Sequence, residues 1–218
     1  MSAGMEITMK QTDIINPFQP YMTLEMDGYS QINRTDYGIS HFYEFTIHDE
    51  KKHCIKAVPD ASIDLLFNIG ENKVSTYISG TVFGVKKWEL GTQDDCFGVR
   101  FQPGQGILPK DITMEMIVND DIEIDGDIFG KNLTEKIALA KTMSERIDIF
   151  KKAYEDMVLG RNSLSDKEKI NEYLVNRISR TKGMITMRQL EDETNYSACY
   201  LRRIFKSFHG ISPKQFAQ

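Results

Sequence analysis

The sequence predicts an α+β chain in which an N-terminal β-barrel or sandwich is followed by helices and closed by an all-α helix-turn-helix. Three observations predict it: short apolar segments as far as Gln102, helical spacing with capping signals beyond it, and a change in the sign of the charge near Ser163. The segments Tyr21 to Met26, Ile39 to Ile47, His53 to Val58, Ser62 to Ile69, Val74 to Ile78, Val82 to Leu90 and Cys96 to Phe101 alternate in polarity or are apolar throughout. Asp27-Gly28, Asp49-Glu50, Pro59-Asp60, Gly70-Glu71-Asn72, Gly80 and Gly91 separate them. Short strands at regular spacing, rich in β-branched and aromatic residues, fit a sandwich or small barrel, and Pro103-Gly104-Gln105-Gly106 ends the β region. The organisation this gives is a β domain over 1–106, a helical segment over 107–163 and a helix-turn-helix over 164–218.

In the middle segment, Ile147, Phe150, Tyr154, Met157 and Val158 fall on one face of a helix that begins near Ser144 and stops at Gly160. That face needs a partner surface. A small β domain is expected to cover it only in part, which predicts a homodimer. The acidic stretch Asn119 to Asp125 reads as a solvated edge or loop, because it lacks the glycine turn and closing glutamate of a calcium loop.

At 218 residues the chain is long enough to bury a real core in two modest domains. No basic segment runs into an apolar stretch at the N-terminus and no stretch approaches a membrane span, so a cytoplasmic protein without a membrane partner is expected. Cys54, Cys96 and Cys199 have no C-x-x-C spacing and cannot all pair, which argues against a disulfide framework or structural zinc. The net charge of -5 hides an asymmetry: Leu164 to Gln218 carries 10 Lys and Arg against 6 Asp and Glu, a surplus of +4, which leaves -9 for Met1 to Ser163. A basic C-terminal module is compatible with nucleic acid, and equally with a solvated basic face.

From Ser165 onwards the local signals agree. Ser165 and Glu168 form a capping box, and Ile170, Leu174 and Ile178 line the apolar face of a helix that runs to about Arg180 and is ended by Gly183. Thr186 and Gln189 cap a second, shorter helix as far as Glu193. Asn195 supplies a tight turn, and Ser197 caps a third helix over Ala198 to Phe208 that Gly210 closes. Leu201, Phe205 and Phe208 are expected inside, with Ile204 at the margin. Cys199, Arg202, Arg203 and Lys206 then project outward along one side. A short helix, a tight turn and a capped second helix can place that second helix in a DNA major groove, where a guanidinium pairs bidentately with guanine. An ordinary amphipathic helix with a solvated basic face has the same periodicity.

The run Ile185-Thr186-Met187-Arg188-Gln189-Leu190, then Ser197 through Lys206, then Gly210-Ile211-Ser212-Pro213-Lys214, resembles the AraC family of transcription regulators. The resemblance covers Ser165 to Gln218. It implies that Cys199, Arg202 and Arg203 face base edges, that Ser197, Tyr200 and Lys206 lie nearer the phosphates, and that Arg188 belongs to the DNA-facing set. Cys199 would offer a packing contact to a thymine methyl, or else a buried structural role. The family's DNA-binding domain holds two helix-turn-helix units joined by a long helix. Only the first is represented here, Ser212 to Gln218 reads as the opening of the joining helix, and a chain of this length is expected to bind DNA weakly.

The order of β segments before helices, with Ile63 to Gly70 and Phe97 to Gly104, resembles the cupin-like N-terminal domains of the same family. That resemblance implies binding of a small effector, or dimerisation. Phe42, Tyr43, Phe67 and Trp88 are candidates to line an effector pocket, and equally candidates for core. His41, Glu44, His48 and His53 lack the close histidine pair of a metal cupin, and an odd spacing of seven puts His41 and His48 on opposite faces of a strand. No metal, cofactor or catalytic constellation is expected, so the chain is not read as an enzyme. The alternatives are an interaction or dimerisation protein that does not bind DNA, and a metal-dependent cupin enzyme.

Overall fold

The computed structural model describes residues 28–46, 54–57, 60–71, 73–84, 86–89, 95–160 and 164–217, with the backbone alone at 54–57 and 86–89. Among them are the strands β1 (Ser30–Asn33), β2 (Ile39–Thr46), β3 (Cys54–Ala57), β4 (Asp64–Ile69), β5 (Val74–Ser79), β6 (Lys86–Glu89), β7 (Asp95–Phe101) and β8 (Asp121–Ile124). They form a six-stranded antiparallel sheet in the order β1-β2-β7-β4-β5-β8 and a separate antiparallel pair, β3-β6. Among the described residues seven α-helices lie C-terminal to β7: α1 (Met114–Ile117), α2 (Leu133–Leu139), α3 (Met143–Leu159), α4 (Asp166–Arg180), α5 (Met187–Thr194), α6 (Ala198–His209) and α7 (Pro213–Phe216). The layout is α+β.

Register divides the sheet into two faces, because successive side chains point to opposite sides. Phe42 pairs with Val99 and Tyr43 with Gly98, while Leu65 and Leu66 meet the same two residues from the other side. One face therefore carries Phe42, Leu65, Phe67, Phe97, Val99 and Phe101, all buried in one apolar cluster. The other carries Tyr43, Asp64, Cys96 and Arg100. Gly98 is needed there, since a Cβ would sit 2.1 Å from the Tyr43 ring.

Helix α3 covers the apolar face. The Thr142 hydroxyl accepts from Glu145 N at 3.2 Å and starts the helix, and Gly160 follows its last turn. Ile147, Phe150 and Tyr154 are buried, and the Phe150 ring stands edge-on to Phe42 and Phe67 at 6.0 and 6.3 Å. Burial of each such ring contributes about 1.5 to 3 kcal/mol. The face expected to need a second copy of the chain is covered by the chain's own sheet, so it gives no reason for a homodimer.

Strands β1 and β8 lie outside the seven expected segments. Asp121–Ile124 forms one edge strand of the sheet: pairing with β5 turns Ile122 and Ile124 onto the core and leaves Glu123 exposed. Of the expected Val82 to Leu90 strand, the described residues 82–84 are not strand and 86–89 form β6; the expected Tyr21 to Met26 strand lies outside the described residues. A second apolar cluster, Leu174, Ile178, Leu190, Leu201 and Phe205, holds α4, α5 and α6 together.

Candidate nucleic-acid interface

Local hydrogen bonds fix where each helix of the C-terminal unit begins. Ser165 and Glu168 cap α4 reciprocally, and Thr186 and Gln189 do the same for α5. Asn195 ends α5 in the left-handed region at φ 58°, and the Ser197 hydroxyl accepts from Tyr200 N at 3.3 Å to open α6. Glu193 ties α5 to α4, accepting from the Tyr173 hydroxyl and from Arg177 Nε, each at 2.7 Å. Glu191 binds the backbone N–H of Ala198. These bonds, together with Leu201 and Phe205 in the shared core, set the rotation of α6 about its own axis.

That rotation leaves Cys199, Arg202, Arg203 and Lys206 exposed on one side, with Ser197 and Arg188 also exposed and Tyr200 half-buried. The exposed thiol of Cys199 excludes the buried structural role weighed for it. No Asp or Glu occurs in α6, so every charge on the face is positive. The Arg203 guanidinium lies 5.3 Å from the centre of the Tyr200 ring, which in turn packs on Tyr196 at 5.1 Å. Arg202 is on the other flank, beside Pro213 and Lys214.

Two expected burials exchange places. Ile204 is buried and Phe208 only half-buried. Sequence reasoning also passed over His209, which is fully buried. Its Nε2 donates to Asn171 Oδ1 at 2.9 Å, its ring stacks on Phe205 at 4.1 Å, and its Nδ1 has no partner. Gly104, at φ +73°, passes so close that a Cβ there would lie 2.2 Å from His209 Cε1. Gly210, at φ +70°, likewise seats the end of α6 against Val118.

Burial lowers the His209 pKa to about 3. The unfolded chain takes up a proton below about pH 6.5 that the folded chain refuses, so stability is intact above 6.5 and falls as pH drops towards 3. His41, lowered to about 4 by burial and then by Arg100, adds a loss of the same sign. Asp64 acts oppositely: burial raises it to about 6 against the pull of Arg100, so folding gains as it protonates between about 6 and 3.8. The last two largely cancel. The expected result is a loss of about 1 to 2 kcal/mol between pH 7 and 5, measured by urea unfolding, with a flatter profile in His209→Gln.

The four candidate pocket residues do not share a surface. Phe42 and Tyr43 are adjacent on β2 and point to opposite sides, so Phe42 and Phe67 fill the core under α3 while Tyr43 lies on the far face. The Trp88 side chain lies outside the described residues. Beside Tyr43 the structure brings together residues that sequence reasoning missed: Arg100 bonds Asp64 at 2.5 Å and also bonds Asp60, and the Tyr43 hydroxyl donates to Asp64 at 3.2 Å. The Arg100 guanidinium is almost fully enclosed, with Nε unpartnered. Burial pulls its pKa down, but the Asp64 and Asp60 carboxylates outweigh this and raise it. A lone charge in each of two apolar runs, Asp64 and Arg100, was the available signal. Of the candidate metal ligands, His41 shares the Tyr43 face and Glu44 lies on the opposite one against Arg146 at 3.5 Å, while His48 and His53 are outside the described residues.

The family described as a domain of unknown function (DUF6597) matches residues 37–123. No curated protein matches the chain. Among solved structures, ToxT from Vibrio cholerae aligns over 88% of this chain and 98% of its own at 9% identity. The TM-score of 0.25 is too low to support an argument. Among the described residues no helix is long and apolar enough to cross a membrane.

Proposed function

We propose that this chain is a sequence-specific DNA-binding transcription regulator in which α6 enters the major groove and the N-terminal sheet responds to a small effector. One observation carries the reading: α5, the left-handed Asn195 and the Ser197-capped α6 form a helix-turn-helix whose exposed face, Cys199, Arg202, Arg203 and Lys206, is free of acidic groups. The division near Ser163 follows the two separate apolar clusters. Because Phe42 and Phe67 fill the core under α3, the reading puts the effector against the opposite side of the sheet, the one that carries Tyr43.

The test begins by selecting duplexes from random-sequence DNA with the chain. On the selected duplex, Arg202→Ala or Arg203→Ala should each cost about 1 to 3 kcal/mol and relax base preference. Lys206→Ala should weaken all sequences alike and reduce the salt slope by about one. Failure to enrich any duplex even at low salt, where weak binding is strengthened, or arginine variants that bind as tightly and selectively as the parent, would remove the reading.

A further inference from the structure

The sequence presents Arg202 and Arg203 as equivalent readers, and the structure separates them. Arg202 takes part in no hydrogen bond or ion pair among the described residues, whereas Arg203 lies over Tyr200, and Tyr196 packs on that same ring at 5.1 Å and 35°. Residues three apart share a helix face, and side chains lean towards the N-terminus, so the stack draws the guanidinium of residue 203 back over the first turn of α6. The first turn is the part of a reading helix that meets base edges. Resting on a ring face leaves the planar edge of the guanidinium, with its paired N–H donors, pointing outward.

We infer that Tyr200 is a positioning residue for Arg203: its ring, packed against Tyr196, holds the guanidinium ordered before DNA arrives, and its hydroxyl is dispensable. This rests on the DNA-reading proposal and changes the role of Tyr200 from a phosphate contact to a platform. Arg203 enters the groove with much of its rotamer freedom already spent, while Arg202 is ordered only on contact.

Two measurements on the full chain test it. Without DNA, the δ-methylene protons of Arg203 should show an upfield ring-current shift in the parent and in Tyr200→Phe, lost in Tyr200→Leu. On the selected duplex, Tyr200→Leu should weaken binding about two- to fivefold, the worth of an exposed cation–ring contact. Tyr200→Phe should bind like the parent, and Tyr200→Leu should cost nothing further when added to Arg203→Ala. The inference is overturned if no ring-current shift is seen, if Tyr200→Phe is as weak as Tyr200→Leu, or if the leucine costs the same with and without Arg203. A ring-current shift of the expected size with DNA binding indifferent to Arg203→Ala instead overturns the DNA reading, and the positioning role with it.

Discussion

Replacing Arg100 by alanine is expected to cost about 3 to 5 kcal/mol, the largest loss from any single change at a polar residue of the sheet. Arg100 sits on the central strand β7 and bonds both Asp60 and Asp64. Its side chain is 5% exposed, and theirs are 13% and 15% exposed, so water cannot replace it as a counter-charge. Without Arg100 the enclosed Asp64 carboxylate loses its counter-charge, or takes up a proton. The variant should accordingly lose less stability than the parent as pH is lowered from 7 to 5. Substituting the group together, Asp60→Asn and Asp64→Leu with Arg100→Met, should recover much of the loss, because it is the unpaired charge that is costly. Urea unfolding of the three chains decides this. A cost below about 1 kcal/mol for Arg100→Ala would mean that the cluster is solvated and the enclosure assigned to it is wrong.

The second large effect is expected at Gly104, where alanine would add a Cβ 2.2 Å from His209 Cε1 on a backbone at φ +73°. The left-handed backbone costs about 1 to 2 kcal/mol for a residue with a Cβ, and forcing an atom into a packed site about 1 to 3 kcal/mol. The His209 ring cannot retreat, because Phe205 stacks on one side of it and Asn171 holds Nε2. We expect Gly104→Ala to lose about 2 to 4 kcal/mol in the parent and only the backbone share in a His209→Ala chain. Equal losses in both chains would show that the glycine serves its own turn and not the seat of α6.

The C-terminal unit was legible because its instructions are local. Ser165 with Glu168, Thr186 with Gln189, the turn at Asn195 and the cap at Ser197 act over three or four residues, and the helices start where they say. His209 was not legible, because its burial depends on Asn171 and Gly104, 38 and 105 positions away. In the β region the strand segments could be read but their neighbours could not. Adjacent Phe42 and Tyr43 were assigned to one pocket although a strand must send them to opposite faces. The alternation Asp121-Ile122-Glu123-Ile124 was masked by its acidity until pairing with β5 gave each isoleucine a core to enter. The face of α3 found its partner in a sheet whose strand order cannot be inferred from periodicity.

The place of β7 between β2 and β4 bears on how the chain comes together as it is made. Those two strands do not pair with each other, and both take their register from a strand that begins at Asp95. While the chain emerges from the ribosome at about 5 to 20 residues per second, the first hundred residues therefore pass several seconds with β2 and β4–β5 unable to join. Non-local pairing of this kind is slow, whereas α4 to α6 assemble from contacts close in sequence. The C-terminal unit is thus expected to acquire its shape quickly once synthesised, and the sheet to be the vulnerable interval in biogenesis, when Phe42 and Phe67 are exposed to chaperones or to other nascent chains.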